Sequence, residues 1–179
     1  MPGGQYIITF AAMIMLTVTV MNLNNNLADT DINLSQNRYR LEALSILNSY
    51  AEKAAGEYFD EASTDSLSKK ELLDFTLPAA LGADIGDGGN IDDFDDYHNL
   101  AIIDTGQSGI IYRLTFEVEY VKLSGNNLVK SLLSQEYVKR MTIRLTDNYT
   151  DPIIYRNDGG VQVKDTLTQE VVYGYWFYN

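Results

Sequence analysis

Cysteine is absent from all 179 residues, and histidine occurs once, at His98. The first absence excludes a disulfide framework, a thiolate metal site and a cysteine nucleophile. The second leaves no partner histidine to complete a zinc site. Cations are scarce: 13 Lys and Arg stand against 25 Asp and Glu, for a formal net charge of -12. That balance argues against sequence-independent nucleic-acid binding, which needs Lys and Arg to neutralise phosphate. It argues equally against docking on anionic lipid through a basic patch, and it fits a soluble, self-repelling extracytoplasmic surface. No Lys or Arg precedes Arg38, and no charge of either sign lies between Tyr6 and Met21. No proline falls between Leu23 and Ser63, and Gly56 is the first glycine of that stretch.

Apolar residues are plentiful, at 45% of the chain. The run YIITFAAMIMLTVTVM, extended to Leu23, reads as a membrane-anchoring helix. A cleavable secretory signal would carry a basic start and a small-x-small site, and NLNNNLADTD offers neither. A buried core element is the other alternative. Beyond it, Leu34, Leu41, Leu44, Leu47, Tyr50 or Ala51, Ala54 and Tyr58 recur at three- and four-residue steps, the stripe of an amphipathic helix. One long helix is expected over 5–62, with its membrane segment at 5–23 and a bend or local melting near Asn22–Asn26, since Asn is a poor helix former. A short helix capped by Ser66 or Ser68 is expected before Pro78.

From Leu100 the chain reads as β. Tyr112, Leu114, Phe116, Val118 and Tyr120 alternate with Arg113, Thr115, Glu117 and Glu119. Met141, Ile143 and Leu145 alternate with Arg140, Thr142 and Arg144. The acidic outer face of one strand suits the cationic outer face of the other. LSGNNLVKSLLS is expected to be a loop, and NDGG, Asn157–Gly160, is a hairpin turn signal. In VVYGYWFYN, Val171, Tyr173, Tyr175 and Phe177 share one face of a last strand, and the cost of exposing Trp176 and Phe177 favours burial over an adhesive edge. Asn148-Tyr149-Thr150 matches a glycosylation sequon. The fold class is therefore α+β, a long helix packed on an antiparallel sheet, with a head spanning 63–179.

Residues 84–96 concentrate oxygen ligands: Asp84, Asp87, Asn90, Asp92, Asp93, Asp95 and Asp96. Calcium takes six to eight such ligands, although the EF-hand order is not met. The alternatives are a solvated loop whose aspartates cap turns, or an acid–base pair with one carboxyl in an apolar pocket. A Ser-His-Asp site is not indicated, because no G-x-S-x-G turn is present. The preferred reading is structural: Phe94 and Tyr97 anchor the loop between helix and sheet, and the aspartates stay wet or hold a cation. No cofactor other than such a calcium ion is expected.

This layout resembles the type IV pilin fold, which the pseudopilins of type II secretion systems share. Gly4 and Gln5 are similar to the residues flanking the family's leader cleavage, which would make 1–4 a leader. The fifth residue after Gly4 is Thr9, where the family usually carries glutamate. DDFDDYHN, residues 92–99, is similar to a stretch in minor pilins of the mannose-sensitive haemagglutinin type. The resemblance implies a non-enzymatic filament subunit, held in the inner membrane before assembly and partnered by other pilin-like subunits, with no nucleic-acid partner. It makes Tyr6, Phe10, Met13, Leu16, Val20 and Leu23 the assembly helix. A single-pass anchored periplasmic binding domain that never polymerises is the alternative.

Overall fold

The structure is a computed structural model that describes residues 3–64, 68–83 and 90–176. Residues 1–40 and 41–179 make two compact units. Helix α1, Gly3–Ala55, is continuous through residue 40, including Asn22–Asn26, where a bend was expected. In the first unit every residue from 3 to 35 is exposed. The threonines in this apolar stretch hide their hydroxyls: Thr17 donates to the Met13 carbonyl at 2.9 Å and Thr19 to that of Met15 at 2.8 Å. Such bonds let a polar side chain sit in a helix that has no water to turn to.

The second unit begins with the last turns of α1. Its buried stripe is Ala43, Leu47, Ala51 and Ala54. Leu47, Ala51 and Ala54 belong to the expected stripe, but Leu41 and Leu44, expected with them, are 67% and 42% exposed. Small alanines let a helix backbone come close to a sheet, so they make the contact although leucine carries more apolar surface. The helix stops at Ala55 rather than at residue 62. Gly56 follows, and a residue without a side chain is a poor helix former. Residues 61–63 form only a 3₁₀ turn, which Asp60 caps. The expected helix before Pro78 shrinks to the 3₁₀ turn Leu72–Asp74, with Glu71 at its cap; Ser66 lies outside the described residues.

The sheet is antiparallel. Its strands are β1 (Ala101–Thr105), β2 (Ile111–Ser124), β3 (Asn127–Lys130), β4 (Val138–Asp147) and β7 (Leu167–Gly174). The order is β1-β2-β4-β7, with β3 paired to the far end of β2. That hairpin replaces the loop expected in LSGNNLVK: Ser124 faces Asn127, and Gly125 turns the chain at φ 62°. Strands β5 (Tyr155–Asp158) and β6 (Val161–Lys164) form a separate ribbon. Gly159 and Gly160, at φ 59° and 88°, supply the two left-handed positions its turn demands.

The inward faces follow the alternation read from the sequence. Tyr112, Leu114, Phe116, Val118 and Tyr120 are buried, as are Met141, Ile143 and Leu145. On the outer face Arg140 stands opposite Glu119 and bonds it through Nε at 3.0 Å. Arg144 reaches Glu117 at 3.1 Å, and Lys130 reaches Glu119 at 2.9 Å. The helix is clamped to the β1–β2 turn by Glu42. Its carboxylate accepts from the Ser108 amide at 2.7 Å, from the Ser108 hydroxyl, and from the Tyr112 hydroxyl at 3.0 Å. Gly106 makes room for this clamp, because a Cβ there would meet the Glu42 carboxylate at 2.5–2.7 Å and push it aside. Tyr50 adds an edge contact to Phe116, with ring centroids 5.8 Å apart.

Candidate functional site

The first candidate element is the apolar half of α1. Gly4 and Gln5 are exposed, and Tyr6, Phe10, Met13, Leu16, Val20 and Leu23 are each more than half exposed. The helix is long and apolar enough to cross a membrane, and none of its most apolar window is buried within the protein. Burying such a surface against something else is strongly favoured, at about 25 cal/mol per Å² of apolar area. Thr9 spends its hydroxyl on the helix, within 3.0 Å of the Gln5 and Tyr6 carbonyls. Among the described residues 3–28 no side chain is charged.

The second element is the aspartate-rich loop, whose parts come together around a lysine that sequence reasoning did not single out. Phe94 and Tyr97 are fully buried. Phe94 packs on Tyr173 and Tyr97 on Phe116, at centroid separations of 5.1 and 5.4 Å. The loop is stitched to the chain just after α1: the Tyr58 amide donates to the Asp92 carbonyl and the Phe94 amide to the Tyr58 carbonyl. Asp93, Asp95 and Asp96 are buried, not wet. Asp93 Oδ1 accepts from the amides of Asp95 and Asp96 at 2.8 and 3.0 Å, so it caps the 3₁₀ turn Asp95–Tyr97. Asp96 returns the favour by accepting from the Asp92 and Asp93 amides.

Asp95 instead points at Lys139, a wholly buried lysine on β4. The Lys139 ammonium also donates to Asp60 at 2.7 Å and to the Phe59 carbonyl at 2.8 Å. It lies 4.4 Å from the Phe59 ring centroid and 5.1 Å from that of Tyr120. Asp60 is tied down further by the Thr76 amide at 3.1 Å and the Tyr120 hydroxyl at 3.1 Å. The cation beside Asp95 is therefore the protein's own lysine. Asn90 and Asp92 sit at the loop's outer side, 3.5 Å apart. Asp84 and Asp87 lie outside the described residues. Among the described residues no three Asp, Glu or His side chains converge to hold a metal ion. Of the carboxylates that suggested calcium, Asp93 and Asp96 are spent on backbone amides and Asp95 on Lys139, while Asp92 keeps a buried Oδ1 with no hydrogen-bond partner among the described residues.

Packing several carboxyls around one ammonium perturbs their protonation. Burial, and then the charge of Asp95, pushes Asp93 up to about 8. Burial raises Asp95 to about 6 against the pull of Lys139. At neutral pH Asp93 keeps its proton, which reduces the negative charge left in the interior. His98 closes the motif. Its Nδ1 accepts from the Val118 amide at 3.0 Å, and burial lowers its pKa, so the ring is neutral with its proton on Nε2.

No protein-family model, curated protein or solved structure matches this chain.

The final strand places Tyr173 and Tyr175 against Phe59, and their hydroxyls bond the Glu57 carbonyl and the Lys70 amide. Trp176 is 78% exposed, contrary to the expectation of burial, and Phe177 lies outside the described residues. Asn148 of the sequon is exposed just after β4. The lysine was readable in principle: Lys139 has the same parity as Met141, Ile143 and Leu145, which makes it an inward charge in need of a partner.

Proposed function

We propose that this chain is a structural subunit, of the minor-pilin or pseudopilin kind, of a type IV pilus or type II secretion filament. Residues 5–23 hold it in the inner membrane before assembly and then pack against other subunits. The observation that carries this reading is one uninterrupted helix, apolar and exposed at its start, whose last turns back an antiparallel sheet. The role asks for no chemistry. Ile32, Leu34, Leu41 and Leu44 are also exposed, beyond the segment that a bilayer would cover. A lone anchor has no use for apolar side chains there, whereas a bundle of sister helices buries them.

The alternative is a single-pass periplasmic binding domain that does not polymerise. Thr9 favours it, because the family's assembly glutamate is missing where the helix would engage a neighbour. Sheared surface material and membranes separate the two readings. Recovery of the chain in filaments, with Gln5 as its first residue, supports the filament subunit. Retention in membranes with Met1 intact overturns it.

A further inference from the structure

The outer face of the sheet carries a concavity, about 570 Å³, lined by His98–Ala101, Arg113, Thr115, Glu117, Lys130 and Arg144. It arises from the strand register. Ala101 on β1 faces Thr115 on β2, which faces Arg144 on β4. Two short side chains in that row leave a dip, and the longer Arg113, Glu117 and Arg144 surround it. The 98–100 loop forms a further wall, where Asn99 takes the left-handed conformation at φ 62° that asparagine tolerates better than most residues.

Donors dominate the lining. Arg144 is partly neutralised by Glu117 at 3.1 Å, and Lys130 by Glu119 at 2.9 Å, just outside the cup, and by Glu117 at 3.9 Å. Arg113 is exposed, and its side chain makes no ion pair or hydrogen bond among the described residues. The His98 ring, with Nδ1 already accepting, has only an N–H left to offer. So three cations and a neutral N–H donor line a cup that holds one carboxylate, on a chain whose net charge is -12. A free guanidinium is a planar fork matched to a carboxylate. Glu117 and the Thr115 hydroxyl add acceptors that suit ligand hydroxyls.

We propose that this cup is a binding site for a small hydroxylated carboxylate, with Arg113 gripping the carboxylate and Thr115 and Glu117 reading adjacent hydroxyls. The probe is glucuronate, titrated calorimetrically into the full chain in detergent micelles at about 150 mM salt, where diffuse attraction is screened. Glucose and sulfate are the comparison ligands. Glucuronate is expected to bind and glucose not to. Arg113→Gln is expected to weaken glucuronate by about tenfold or more without altering thermal unfolding, because the exposed Arg113 side chain makes no ion pair or hydrogen bond among the described residues. Lys122→Gln, the same charge change on β2 outside the cup, is expected to leave binding unchanged. Failure of glucuronate to bind overturns the site. So does equal competition by sulfate, which marks a generic basic surface, or an affinity that ignores Arg113→Gln.

Discussion

Replacing Lys139 by methionine keeps a four-atom apolar stem and deletes the ammonium. Asp60 and Asp95 then face each other in the interior with no cation between them. Losing one member of a buried ion cluster costs about 3–5 kcal/mol, so the urea midpoint of the head should fall sharply. Adding Asp60→Asn and Asp95→Asn to the same chain should recover part of that loss. Asp93 gives a pH-dependent counterpart. Its carboxyl is near 3.8 when unfolded and about 8 when folded. The folded state therefore holds the proton more tightly. The stability that this contributes is present below about pH 4 and is lost as pH rises through about 8. Asp93→Asn removes the titration while its amide oxygen still accepts from the Asp95 and Asp96 amides. Thermal unfolding from pH 5 to pH 8 should thus show the variant gaining on the parent as pH rises. His98 is depressed and acts in the opposite sense, but it is common to both proteins and cancels in the difference.

At the scale of elements, Glu42 couples α1 to the β1–β2 turn. Gly106→Ala pushes a methyl into the carboxylate and displaces three hydrogen bonds. A loss of about 1–3 kcal/mol is expected, with faster hydrogen exchange at the Ser108 amide as its local signature. Element type and face were legible where the alternation is strict, as in β2 and β4, because a two-residue period leaves little freedom once one face is buried. Three things were not legible. Ala43 joins Leu47, Ala51 and Ala54 in the helix contact in place of Leu41 and Leu44, and alanine carries too little hydrophobic weight to mark that face. Strand β3 is short and exposed on every residue, so no apolar pattern marks it. Asp95 looks solvated until its partner Lys139, 44 positions away in sequence, folds against it. Nothing within the loop marks that pairing; the only hint is the inward parity of Lys139 on β4.

For the whole molecule, every buried apolar residue among the described ones lies at position 43 or later. The core therefore asks nothing of the apolar first half of α1. A chain beginning at Asp29 should be recovered without detergent and should unfold at the midpoint of the full-length head. Within the intact chain, Leu16→Asp places a charge in the middle of the apolar run, at a cost of about 2.5–3.5 kcal/mol for insertion. Fractionation should find that variant shifted out of the membrane pellet.

The enclosure of Lys139 has one more consequence, for chemical labelling. An acylating reagent needs an accessible, deprotonated amine, and this one is sealed beneath two aromatic rings and held by two carboxylates. The surface lysines will be tagged promptly while Lys139 stays unmodified until the head opens. The fraction of Lys139 tagged over time is thus a clock, read from a single peptide by mass spectrometry, for how often the folded head comes apart.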